Sequence, residues 1–181
     1  PRDELRLLYV GRVSREKNLD DLERAFAQVA AVRPGVRLVV VGDGPYLEEM
    51  RGRLAGLPAS FTGFLHGEDL AQAYASADIF LFPSTTDTFG NVVLEALASG
   101  LPVICSDKGG PKDSVEHGRT GFVVRAGDAD GYARAVLALA ADRPRLAAMA
   151  AAARTAVAGR SFDRSFLDLW GMHCSAAGAA A

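Results

Sequence analysis

Asp87 and Glu95 stand with seven residues between them in "TDTFGNVVLEALASG", residues 86–100. Val93, Leu94 and Leu97 repeat at helical spacing, so the stretch predicts a helix with Gly90 at or just before its start and Gly100 as its stop. The backbone N–H groups of Gly90, Asn91 and Val92 then lie at the positive end of a helix dipole without internal acceptors, an arrangement that suits an anion. Asn91 and Glu95 are four residues apart and share a helix face, and Asp87 sits about one turn upstream in the approaching loop. Carboxylates in a partly desolvated pocket repel phosphate. They accept hydrogen bonds instead, and vicinal sugar hydroxyls are natural donors, each bond contributing about 1.5–3 kcal/mol. Phosphate donors flanked by hydroxyl acceptors describe a site for a nucleotide-activated sugar. The alternatives are an Asx turn or a dipole complement for Asp87, and an ordinary solvated helix face for Glu95.

Two further loops hold groups that could join them. "GRVSREKN" follows the first apolar run: Gly11 permits a close turn, while Arg12 and Lys17 project as a forked donor and a point charge that could clamp a diphosphate. Solvated loop charges are the alternative reading. "GDGP", residues 42–45, places Gly42 where backbone must bend or meet a ligand, and a plain strand-to-helix turn fits it as well. Its glycine spacing departs from the dinucleotide fingerprint.

Positioning these loops requires a regular scaffold. Apolar runs at 5–10, 36–42, 77–83, 101–106 and 121–124 are rich in Val, Ile, Leu and Phe without strict alternation, as strands buried on both faces are. Helical stretches separate them, for instance "LERAFAQVAAV", with Asn18 expected as its N-cap and Pro34 and Gly35 as its stop. The repeated alternation predicts an α/β fold, a doubly wound, Rossmann-like parallel sheet with right-handed crossovers, whose ligands sit beyond the carboxyl ends of the strands. Ala-rich helices are expected over 128–158 with a break at Pro144, and a final amphipathic helix over 162–174.

Bulk properties narrow the class. A chain of 181 residues suits one domain, expected over 1–175, with a structureless Ala-rich tail at 176–181. A formal net charge of −2 gives no global field for a nucleic acid or an anionic membrane. Cys105 and Cys174 form no metal or disulfide pattern, which points to a reducing, cytoplasmic setting. No run reaches the ~18 apolar residues of a membrane span. Pro1 at one end and "SAAGAAA" at the other read as the boundaries of a piece of something larger.

With these residues in place, "YVGRVSREKN", "VVVGDGP", "FTGFLHGEDLAQAYASADIFLFPS" and "DTFGNVVLEALASGLPVICSDKGG", in this order over 8–110 and extended by "HGRTGFVV" at 117–124, resemble the C-terminal, donor-binding half of retaining GT-B glycosyltransferases of family 4. The family's motif is two glutamates with seven residues between them. By motif position the resemblance gives Glu95 the ribose hydroxyls, and it puts Asp87, one methylene shorter than the usual residue, beside the donor sugar and the developing oxocarbenium charge. It assigns Arg12 and Lys17 to the diphosphate, so that Asp87, Arg12 and Lys17 form the catalytic set. Phe89, Gly90 and Asn91 would meet the distal phosphate and sugar through backbone amides, and Phe64 and Leu65 the base largely through backbone, with His66 either lining that pocket or lying on a surface loop.

The resemblance further implies hexose transfer from GDP-mannose or a UDP-hexose with retention of configuration. No metal or other cofactor is expected, because two cations and a helix tip can neutralise the leaving diphosphate. The acceptor-binding N-terminal domain, absent from this chain, is the expected partner, and any membrane contact would run through it. The isolated chain is expected to bind nucleotide weakly and to transfer little or nothing. A catalytically silent nucleotide-sugar-binding module and a GT-B-fold epimerase or phosphorylase are the other readings.

Overall fold

The computed structural model describes residues 4–158. Six strands form one parallel sheet in the order β3-β2-β1-β4-β5-β6. They are β1 (Leu5–Val10), β2 (Val36–Val41), β3 (Ala59–Gly63), β4 (Ile79–Phe82), β5 (Val103–Ser106) and β6 (Gly121–Val124). The helices between and after them are α1 (Leu19–Val32), α2 (Leu47–Arg53), α3 (Gly67–Ser76), α4 (Asn91–Ala98), α5 (Ala129–Ala141) and α6 (Arg143–Val157). This is the doubly wound sheet that the alternation predicts.

The central strands form because their side chains can be covered on both faces. β4 and β5 are buried at every position, and in β1 only Arg6 is half-exposed. Registers such as Leu5 opposite Val36 and Val10 opposite Val41 bring apolar side chains side by side. β3 differs: "ASFTG" alternates between half-buried and exposed, as an edge strand with one covered face does. α1 buries Leu22, Ala25, Phe26 and Val29, spaced as one helical stripe, and packs on α5, while α4 packs on α6. The steps β1→β2 and β4→β5 run in opposite directions across the sheet. Right-handed crossovers therefore put α1 and α4 on opposite faces and open a crevice between the carboxyl ends of β1 and β4.

Several local expectations change. Asn18 precedes α1 but does not cap it. Its backbone is left-handed at φ 53°, no side-chain cap bond forms, and its amide donates to Thr85 Oγ1 at 3.1 Å. The left-handed turn ends the 3-10 helix Arg15–Lys17 and directs the side chain across to the loop after β4. Pro144 lies in the first turn of α6, as a proline tolerates, and the break falls one residue before that helix, at Asp142, whose carboxylate caps it by accepting from Arg145 N at 2.9 Å. The proposed helix over 162–174 and Cys174 lie outside the described residues.

Cys105 is fully buried in β5, and burial pushes its thiol up to about 12. We therefore expect iodoacetamide at about pH 8 to leave Cys105 unmodified in the folded chain and to alkylate it in denaturant, read by peptide mass.

Candidate active site at the sheet switch point

The loop leaving β1 is fastened from below and from the side. Tyr9, stacked on Phe82 at 6.2 Å, donates its hydroxyl to Arg12 O at 2.9 Å. Burial, with the Asp87 and Glu16 charges nearby, pushes its phenol far up, so it stays a neutral donor. Outside the loop, Arg15 pairs with Glu49 at 2.5 Å and lies over the Tyr46 ring at 4.9 Å. Lys17 is thereby carried on a short, braced helical turn toward the loop that follows β4.

There Lys17 meets Asp87. Its Nζ donates to Oδ1 at 2.9 Å and Oδ2 at 2.8 Å, and the buried Ser84 hydroxyl also donates to Oδ2. The sequence reading gave Lys17 to phosphate and Asp87 to sugar hydroxyls as separate tasks. In the fold the two charges face and neutralise each other. Asp87 O also accepts from Gly110 N at 2.9 Å, so the "GGP" turn after β5 braces the acidic loop from its other side. The Arg12 side chain is exposed and makes no hydrogen bond or ion pair among the described residues, although its backbone carbonyl accepts from Tyr9.

Gly90 is the N-cap of α4 in a left-handed conformation, φ 68°. A Cβ there would also lie 2.7 Å from Pro111 Cγ, so both backbone and packing call for glycine. The first amide of the turn with an internal acceptor is Val93 N, bound to Gly90 O at 2.8 Å. The amides of Gly90, Asn91 and Val92 have none among the described residues, as the helix-start reading requires.

One turn further on, exposed Glu95 accepts from the Tyr74 hydroxyl of α3 at 2.8 Å. The Glu95 side also borders a cleft of about 300 Å³ lined by Leu70, Tyr74 and Ala98.

The remaining predicted residues separate by role. Gly11 and Gly42 meet backbone to backbone: a Cβ on Gly42, at φ 131°, would lie 1.9 Å from Gly11 O. Gly42 thus supports the Arg12–Lys17 loop directly. Phe64 and Phe89 are 65% and 70% exposed, and Leu65 is half-buried. Phe64 lies parallel to exposed His66 with centroids 6.5 Å apart. Sequence reasoning missed Tyr74, Ser84 and the Gly109–Pro111 brace. No local signal marks Tyr74, since a tyrosine on the inner face of a helix such as α3 reads as packing.

A strand switch point, an open helix N-terminus, a lysine bonded to the loop before it and an acid on that helix together describe a Rossmann-like α/β domain with its candidate site at the switch point. A model for the glycosyl transferases group 1 family matches residues 4–142, and the chain belongs to that family. It is 44% identical over 155 residues to the GDP-mannose-dependent alpha-mannosyltransferase of Mycobacterium tuberculosis, covering 85% of this chain and 38% of that protein. It is 41% identical over 140 residues to sulfoquinovosyl transferase SQD2 of Arabidopsis thaliana, covering 76% and 27%. Among solved structures, HepE of Anabaena in complex with UDP superposes with a TM-score of 0.84 at 26% identity, covering 96% of this chain and 49% of that one. The chain therefore spans less than half the length of these relatives.

Proposed function

We propose that this chain is the C-terminal, donor-binding domain of a retaining family 4 glycosyltransferase that moves a hexose from a nucleotide diphosphate sugar, GDP-mannose or a UDP-hexose, to an acceptor. One observation carries the reading. The Lys17 ammonium, on the loop after β1, bonds Asp87 three residues before Gly90, where α4 begins with open amides and carries Glu95 on its next turn.

In this reading the diphosphate lies on the amides of Gly90, Asn91 and Val92 and draws Lys17 and Arg12 to itself, with Glu95 on the ribose hydroxyls and the Phe64–Leu65 backbone beside the base. As the bond from the anomeric carbon to the diphosphate breaks, negative charge gathers on the leaving oxygen, where the amides and cations offset it. Positive charge develops on the sugar, where Asp87 faces it. Lys17 must then exchange part of its hold on Asp87 for the phosphate, which makes Asp87 available when a donor is present.

The share of each relative that is matched supports an acceptor-binding domain elsewhere in the full-length polypeptide and little transfer by this chain alone. The donor set needs no metal. Among the described residues no helix is long and apolar enough to cross a membrane; we place the protein in the cytoplasm, with membrane contact through the rest of the polypeptide.

One observation favours a second reading: Asp87 is already satisfied by Lys17 and Ser84, as it would be in a module that binds without turning over.

Calorimetric titration with UDP, GDP and ADP tests the proposal. We expect at least one to bind, and Glu95→Ala to weaken it about tenfold or more, the loss of charge-assisted bonds to two hydroxyls. Equal affinity in the variant would remove Glu95 from the site.

A further inference from the structure

Glu95 has a surface position and a long, freely rotating side chain, yet in the fold it is tied. Tyr74 is the reason. Its hydroxyl donates to Glu95 Oε2 at 2.8 Å, and the Tyr74 hydroxyl oxygen also lies 3.4 Å from Val92 O, one turn back on α4. The phenol is only 3% exposed, and its ring packs on Phe80 of β4 with centroids 5.9 Å apart. The donor is thus fixed to the sheet while its acceptor is the mobile partner. Burial and the Glu95 carboxylate push the phenol upward, so it remains a donor across the physiological range.

We infer that Tyr74 is a positioning residue: anchored in α3, it fixes one oxygen of Glu95 so that the other is presented to the vicinal hydroxyls of the nucleotide's ribose. This rests on the assignment of Glu95 made above. The tether matters because a free glutamate loses rotamer entropy when it grips a ligand, whereas a tethered one has lost it on folding. Pinning Oε2 also leaves Oε1 with its full accepting capacity, which two adjacent hydroxyls can share.

The chemistry of the ligand supplies the test. UDP and GDP are titrated into the chain alongside their 2′,3′-dideoxy counterparts, which keep base and diphosphate and lack both hydroxyls. The native chain is expected to prefer the ribonucleotides. Tyr74→Phe keeps the ring on Phe80 and removes only the hydroxyl. It is expected to weaken ribonucleotide binding about three- to tenfold while leaving dideoxynucleotide binding unchanged, so the preference shrinks. In a Glu95→Gln background, Tyr74→Phe is expected to have no further effect on the preference. A merely structural role for Tyr74 would lower both affinities together and leave their ratio intact, and an unchanged ratio overturns the proposal. The unfolding midpoint of Tyr74→Phe, measured in parallel, reports directly on packing. A native chain that binds both nucleotide forms equally overturns the Glu95 assignment and this inference with it. A native preference that survives Tyr74→Phe overturns the inference alone.

Discussion

Replacing Asp87 by alanine in the full-length polypeptide is expected to lower turnover about 10²–10³-fold, the range for removing one preorganised electrostatic group from a transition state, and to change the KM for the donor far less. Asp87 lies 2.8 Å from Lys17 and takes a hydrogen bond from buried Ser84. Its orientation is therefore set before any donor arrives, and in the proposed function it stands where positive charge develops on the sugar. Alanine removes the carboxylate charge and also frees Lys17, which can then satisfy the diphosphate without competition. Ground-state binding of nucleotide is accordingly preserved or slightly strengthened while the chemical step suffers, and a fall in kcat with little change in KM marks a transition-state role. Asp87→Asn should behave like alanine, since it keeps the size and loses the charge. Turnover within about threefold of native in both variants would favour the silent-module reading and leave Asp87 as a partner for Lys17.

Gly42→Ala has the second large effect, on stability. Gly11 N donates to Val41 O at 3.0 Å and Gly42 N to Gly63 O at 2.8 Å, so the ends of β1, β2 and β3 are laced together at this glycine. Its φ of 131° disfavours any side chain, and a Cβ would lie 1.9 Å from Gly11 O and 2.9 Å from Gly11 C, atoms of backbone that cannot rotate away. Strain and overpacking together predict a loss of about 3–5 kcal/mol. For a chain of this size that lowers the unfolding midpoint by roughly 10 °C. Gly56→Ala is the control: its φ is 82° with no atom within 4 Å of the added Cβ, so only the backbone term applies. It should cost about 1–2 kcal/mol. Equal losses in the two variants would show that the Gly42–Gly11 contact contributes nothing.

The scaffold was readable from the chain because strands covered on both faces must be apolar along their length. The runs at 5–10 and 121–124 mark β1 and β6 at their full extents, whereas 77–83 overshoots β4, where Ala77 ends α3 and Asp78 N bonds Arg6 O. Gly90 and Gly100 bracket α4 for the same local reason: helix ends need residues tolerant of left-handed backbone.

Pairings across the crevice were not readable. Lys17 and Asp87 are 70 residues apart and meet only because β1 and β4 are neighbours in the sheet, an order that hydrophobic patterning does not encode. Asn18 shows the same limit. Its type and position fit a cap, but the left-handed turn at that residue sends its amide to Thr85, a partner brought in by the fold. Tyr74 was hidden because a tyrosine in a helix normally reads as packing, and its bond to Glu95 depends on α3 and α4 sharing a face.

The central claim is that a diphosphate settles on the tip of α4 opposite Lys17. Amide NMR of the chain during titration with UDP and GDP tests it most directly. The account predicts that the resonances of Gly90, Asn91 and Val92 move most, and that Lys17→Ala sharply reduces the shifts at a given nucleotide concentration. Binding that leaves those three amides still, or shifts that Lys17→Ala does not alter, would contradict it.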